Sequence, residues 1–185
     1  MLRNMRCSFI INEKLGLKAN LLSSRQATNP NKLRTIVIDG PNVAFEHSIA
    51  LGRGRRFSSH GLIICVDYFK KRGHKVKVVV PQKYGTWSNI VDDRHLLEKL
   101  KQAGTLSYAP HETYDDRFVL QYANRCRAIV VSNDGYRDIK YENPGFLETV
   151  QRRKLGFMWI EDDFMVPQDP KGPNGPTLDE FLQLQ

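Results

Sequence analysis

From residue 34 onward the chain alternates between short β-branched runs and amphipathic stretches of helical spacing, and that alternation constrains the fold more than any other feature. The runs are RTIVID (34–39), KVKVVV (75–80), TLSYA (105–109), AIVVS (128–132) and GFMWIE (156–161). Between them, SHGLIICVDYFKKRG sets Leu62, Val66 and Phe69 on one face and ends on Gly73, a residue suited to a helix C-cap. VDDRHLLEKLKQAG groups Leu96, Leu97 and Leu100 and closes at Gly104, while DDRFVLQYANRC and GFLETVQRRKLG supply two further helices. Alternation of this kind predicts an α/β fold, a doubly wound parallel sheet of about five strands with helices on both faces. Right-handed crossovers leave a few strand orders, of which 3-2-1-4-5 is a common kind and the one expected here.

The flanks differ from this body. Residues 1–33 carry Arg3, Arg6, Lys14, Lys18, Arg25 and Lys32 against the single acid Glu13 and end in the turn-rich SSRQATNPN. They are expected to form a flexible basic tail ahead of one domain over 34–185, with a mitochondrial leader as the other reading. After residue 161, VPQDPKGPNGP is a Pro/Gly connection, and Thr177 is placed to cap a short closing helix over TLDEFLQ. A chain of 185 residues with 41% hydrophobic content suffices for one globular domain. No run of eighteen apolar residues is available for a membrane-spanning helix.

The formal charge of +8 and a pI near 9.5 favour a polyanionic partner such as nucleic acid. Cys7, Cys65 and Cys126 are far apart and odd in number, which fits neither a disulfide framework nor a CxxC metal site and points to a reducing compartment. His47, His60, His74, His95 and His111 show no ligand spacing, so all five are read as structural or surface residues and no zinc site is expected.

A buried strand that ends on an ionisable carboxylate needs a reason, and TIVIDGPN ends on Asp39. In an open α/β sheet, ligands bind beyond the carboxyl ends of the strands, at the switch point between the first and fourth. Asp39 ends the first strand, and Asn133 and Asp134 follow the fourth in VVSNDGYRD. Asp138 lies four residues beyond Asp134 and returns to the same side if GYRD begins a helix. Asp115 and Asp116 open the helix that leads into strand four, at the same edge. Each acid taken singly is explained by helix capping or by the helix dipole. Gathered at one crevice of a basic protein, they would raise one another's pKa or demand a cation. A hard ion, Mg²⁺ or Mn²⁺, suits such oxygen ligands, and phosphodiester hydrolysis suits such an ion. The chain has no GxxxxGK[ST] or GxGxxG cradle, and DGPN lacks the second acid of an aspartyl-phosphate phosphatase.

VIDGPNVAFEHS, GLIICVDYFKKRGH, YDDRFVLQYA, VVSNDGYRD and DPKGPNGPTLDEFL occur in the order seen in the regnase family, which residues 34–182 therefore resemble. These are endoribonucleases with a catalytic domain of the NYN/PIN-like type. The resemblance implies a PIN-like fold with metal-site acids at Asp39, Asp115, Asp116, Asp134 and Asp138, joined in the catalytic set by Asn42. It also implies a Mg²⁺-dependent RNase, with Mn²⁺ as the other ion, cutting single-stranded or stem-loop RNA in mRNA turnover. Regnase-type relatives carry a CCCH zinc finger after this domain. No such cysteines follow it here, so target selection is expected to lie in a missing region or with a partner; the partners expected are RNA and either a second copy of the chain or an RNA-binding protein.

RNA contacts beyond the ion are expected first at Arg53, Arg55 and Arg56, where glycines allow close backbone approach. Lys70, Lys71 and Arg72 form a second cluster and Arg152, Arg153 and Lys154 a third; either can equally be a solvated face. Tyr84 and Trp87 follow the second strand, where they can stack a base or pack the rim. The expected setting is cytoplasmic, with nuclear and mitochondrial placement as alternatives. Two rival functions remain at this level: a catalytically weak RNA-binding module of the same fold, and a protein-interaction domain using the basic face.

Overall fold

Strand β1 (Ile36–Asp39) is buried at every residue, because a parallel strand in mid-sheet is covered on both faces and has no polar side to present. The computed structural model describes residues 33–86, 89–110 and 115–184, with only the backbone of Asp115. The basic tail expected over 1–33 thus lies outside the described residues except for Leu33, which bridges Gln183 near the end of the chain.

β1 pairs in parallel with β2 (Val76–Pro81) on one side and β4 (Ile129–Val131) on the other, while β3 (Leu106–Ala109) and β5 (Lys154–Leu155) form the edges. The order is β3-β2-β1-β4-β5, the doubly wound topology expected from the sequence. Alternation along the strands builds two cores. Ile36, Ile38, Val78, Val80, Ile129 and Val131 face one of them, and Val37, Val79 and Val130 the other. The first core is closed by α1 (Gly40–Ala50), α2 (Ser59–Lys70) and α4 (Arg94–Gln102), through residues such as Val43, Leu62, Phe69 and Leu97. The second is closed by α5 (Asp115–Cys126) and α6 (Pro144–Arg153), through Leu120 and Phe146. A short α3 (Gln82–Thr86) follows β2.

Local chemistry sets the boundaries. The Ser58, Asp93 and Asn143 side chains accept from the backbone N–H groups of Gly61, His95 and Gly145 at the starts of α2, α4 and α6. α2 runs out at Gly73, whose φ of 89° is open to glycine at little cost. Thr177 and Glu180 form a reciprocal capping box on α7 (Leu178–Phe181).

Two expectations need correction, and one helix was not foreseen. The fifth strand is not 156–161 but Lys154–Leu155. Met158–Ile160 (β6) leaves the sheet and pairs antiparallel with Asp163–Met165 (β7). The cause is Asn133: its side-chain oxygen accepts from the Phe157 N–H and its amide nitrogen donates to the Phe157 C=O, both at 3.0 Å. A side chain thereby takes the bonds a neighbouring strand would have made, and the ladder stops. The unforeseen helix spans residues 40–50, where the Gly-Pro pair disguises it. Pro41 in its first turn is tolerated, since its missing N–H would be unpaired there anyway. Finally, GYRD does not begin a helix: 137–141 is a turn, entered through Tyr136 at φ 47°.

Candidate active site

Asp39 stands where β1 ends and α1 begins, 3% exposed. Its Oδ1 accepts from the backbone N–H of Asn42 at 3.3 Å, so it is the N-cap of α1. Its Oδ2 accepts from the Ser132 hydroxyl at 2.9 Å and the Tyr136 hydroxyl at 3.0 Å. Capping therefore occupies one oxygen, and two hydroxyls from the segment after β4 hold the other. Gly40 lets the start of α1 lie against β2, since a Cβ there would be 2.7 Å from the Val79 carbonyl oxygen.

The segment after β4 folds back on itself. Ser132 Oγ accepts from the Asp134 N–H at 3.0 Å, and Asp134 Oδ1 accepts from the Tyr136 N–H at 2.6 Å. Asn42 Oδ1 accepts from the Asn133 N–H at 2.8 Å, tying the first turn of α1 to the loop beyond β4. The β1 and β4 ends are thus joined at the switch point. Tyr136 is fully buried. Burial, then the negative charge of Asp39, pushes its phenol well above the ordinary value, so it stays protonated as a donor. Asp116, half-buried at the start of α5, adds to that field.

The structure therefore brings Asp39, Asp116 and Asp134 around Tyr136, with Asp134 and Asp138 exposed. It does not set three carboxylates close enough, among the described residues, to enclose an ion by themselves. The Asp115 side chain lies outside the described residues. This donor set still fits Mg²⁺ or Mn²⁺. It consists of hard oxygens without thiol or imidazole, and Mg²⁺ commonly takes one or two carboxylates, keeps several waters and shares the substrate's phosphate.

The arginine loop borders this edge. Arg55 lies 5.6 Å from the Phe45 ring, which packs edge-on against Tyr84 at 5.9 Å, just beyond the end of β2. Arg53 and Arg56 are exposed on the same loop. Tyr84 is a rim residue: it is 8% exposed and stacked on Phe57 at 4.7 Å, leaving no face for a base. Trp87 lies outside the described residues. Lys70, Lys71 and Arg72 close α2 at the opposite edge of the sheet. There Lys70 donates to Thr105, and Arg72 covers the Tyr68 ring at 3.5 Å.

Ser132 and Tyr136 were not legible as partners of Asp39; the only hint was their place in the stretch that carries Asp134. Sequence reasoning also missed a Ser–His–Asp chain. His47 Nδ1 is 2.9 Å from Ser58 Oγ, and His47 Nε2 is 2.8 Å from Asp162 Oδ1. This is no nucleophile. Ser58 is 3% exposed, and its hydroxyl is engaged by Asp92 at 3.0 Å and by the Gly61 N–H at 3.3 Å. The network fastens the β6–β7 turn and the Asp92 loop to α1.

A 3-2-1-4-5 parallel sheet with carboxylates at its β1/β4 switch point is the arrangement of a PIN-like α/β domain. Residues 32–180 match the model of the Zc3h12a-like ribonuclease NYN domain, and the chain belongs to that family. It is similar to "Endoribonuclease rege-1" of Caenorhabditis elegans, 38% identical over 167 residues, covering 83% of this chain and 25% of that protein. The chain thus spans about a quarter of the length of this curated relative. In fold it resembles the nuclear proteinaceous RNase P 2 (PRORP2) of Arabidopsis thaliana. One solved structure of that protein gives a TM-score of 0.56 at 14% identity, covering 86% of this chain and 33% of the other. A second gives 0.54 at 18% identity, covering 72% and 29%.

Proposed function

We propose that this chain is a divalent-metal-dependent endoribonuclease that cleaves single-stranded or stem-loop RNA in mRNA turnover. The observation that carries the reading is Asp39, a buried carboxylate fixed by three donors at the switch point beside acids that remain open to solvent. Family membership and the similarity to an endoribonuclease support it.

Asp39, Asp116, Asp134 and Asp138 would hold the ion, together with Asp115. When bound, the ion polarises a phosphate oxygen and lowers the pKa of an attacking water. The chain's own groups do the rest. Ser132 and Tyr136 hold Asp39 fixed in direction, which avoids reorganisation during reaction. Asp134 keeps Oδ1 on the Tyr136 amide, which leaves Oδ2 to take a proton from water. Arg53, Arg55 and Arg56 bind backbone phosphates along the same edge.

One observation favours the rival, a catalytically weak RNA-binding module: the described carboxylates do not stand three together. Incubating labelled single-stranded RNA with the protein while Mg²⁺ is titrated decides between them. Asp39→Asn preserves the helix cap, because Asn caps about as well as Asp. Its cleavage should fall by orders of magnitude while the fold and RNA affinity persist. Full activity in this variant, or no cleavage at any Mg²⁺ by the parent, overturns the reading.

A further inference from the structure

The edge of the sheet opposite Asp39 carries an unexplained concentration of positive charge. A cavity of about 480 Å³ there is lined by Arg34, Arg127, Arg152, Arg153 and Lys171, with Glu148 as the one carboxylate among its described lining residues. Arg34 precedes β1, Arg127 precedes β4 and Arg153 precedes β5, so the sheet's topology brings these side chains together.

Among the described residues the cations have few carboxylate partners, although Arg34 donates to the Gln183 and Arg127 carbonyls. Glu148 is taken by Arg153, whose Nη1 donates to it at 2.5 Å while Nη2 donates to Thr149 at 2.7 Å. Arg153 is only 6% exposed, yet its buried Nε has no partner among the described residues. An unpaired guanidinium donor away from water is costly and marks a place for an acceptor. Burial, then the charges of Arg153 and Arg127, holds the Arg34 guanidinium below its ordinary value. Residues 1–32 cannot neutralise the cavity by charge, since they hold six cations and one acid.

The cavity is also linked to the catalytic edge. Lys171 donates to the backbone carbonyls of Gln151 and Lys154 at 2.8 and 3.1 Å. Lys154 in turn reaches the Asp134 carbonyl with its ammonium at 2.8 Å. A cationic track therefore runs along the β5 edge from Asp134 to the cavity. Along β1 the two ends are five residues apart, roughly 16 Å.

We propose that the cavity and the β5 edge bind the phosphodiester backbone of the same RNA strand whose scissile bond lies at Asp39. This rests on the ribonuclease reading above. The strand leaves the acidic edge, passes Lys154 and Lys171, and sets a phosphate against Arg127 and Arg152.

The test uses the full chain with Arg127→Asn and Arg152→Gln combined. Both side chains are exposed, and Asn tolerates the φ of 50° at position 127. Binding of a single strand of roughly 16 nucleotides and of a trinucleotide is measured without Mg²⁺ over a range of salt. For the long strand, the log-affinity against log-salt slope should shrink by about 1.4, roughly 0.7 for each phosphate no longer neutralised. Trinucleotide binding and its Mg²⁺-dependent cleavage should be unchanged. An unchanged slope for the long strand in a folded variant overturns the proposal. So does thermal stabilisation of the parent by AMP or inorganic phosphate that the variant loses while its slope stays the same, because the cavity then takes a free phosphate compound. A fallen slope in a protein that cleaves no RNA would sustain the cavity and sink the ribonuclease reading instead.

Discussion

A carboxylate buried at the end of a strand is expensive unless donors surround it, and at Asp39 the donors come from two separate parts of the chain. The Asn42 amide is local, three residues away, and any acid before a helix would find it. Ser132 and Tyr136 are 93 and 97 residues away, and they distinguish this acid from an ordinary cap. The local half was legible in TIVIDGPN, because an apolar strand stopped on a charge. The distant half was not, because Tyr136 points inward only by adopting a left-handed backbone, φ 47°, that its sequence neighbours do not advertise. Tyr136→Phe isolates that half. A hydrogen bond to a charged group is worth about 1.5–3 kcal/mol, so urea unfolding should show a loss of about 2 kcal/mol. Turnover should fall with it while RNA affinity holds. In the Asp39→Asn background the same change should cost much less, and equal costs in both backgrounds would show that the two groups are not coupled.

Helices and strands were legible where one periodicity held over many residues, as in α2 and α5, whose apolar spacing the structure keeps. Reading failed where a side chain replaced a backbone partner. GFMWIE has the composition of a strand, and it is one, but in a hairpin with 163–165 instead of the main sheet. Composition reports that a segment is extended and half-buried; it does not name its partner. The partner was decided by Asn133, whose amide closes on both backbone groups of Phe157. Asn133→Ala should leave those two groups without their partner and cost about 1–3 kcal/mol. Hydrogen exchange at the Phe157 amide should accelerate out of proportion to the global change. If that amide exchanges no faster than the rest of the sheet, something other than Asn133 ends the ladder.

At the scale of the whole molecule, acids gather beyond the carboxyl ends of the strands with the arginine loop beside them, and a second group of arginines lies before the amino ends. The alternating pattern made the sheet order legible, and with it the acidic edge. The basic cavity was not, because Arg34, Arg127 and Arg153 are separated by long stretches of chain and meet only through the crossovers. The same amino edge contains His74, 6% exposed, whose Nδ1 lies 2.9 Å from the Arg34 carbonyl and whose ring meets Phe69 edge-on at 6.1 Å. Burial lowers its pKa; the Arg34 carbonyl opposes that shift and the nearby Arg72 charge adds to it. The folded protein thus keeps His74 neutral below the ordinary value of 6.5, where the unfolded chain takes up a proton. Its contribution is fully present above that value and is lost as pH falls through it toward the lower folded value. The slope is at most about 1.4 kcal/mol per pH unit for one proton. Asp92 adds a second, more acidic step. Its burial raises the carboxyl, but the Ser59 N–H and the Ser58 hydroxyl outweigh this and bring it below 3.8. That contribution is present above 3.8 and disappears as pH falls through the depressed folded value. Unfolding midpoints measured from neutral pH downward should therefore fall in two stages. His74→Gln should flatten the first stage and leave the second in place, whereas parallel curves for parent and variant would acquit His74.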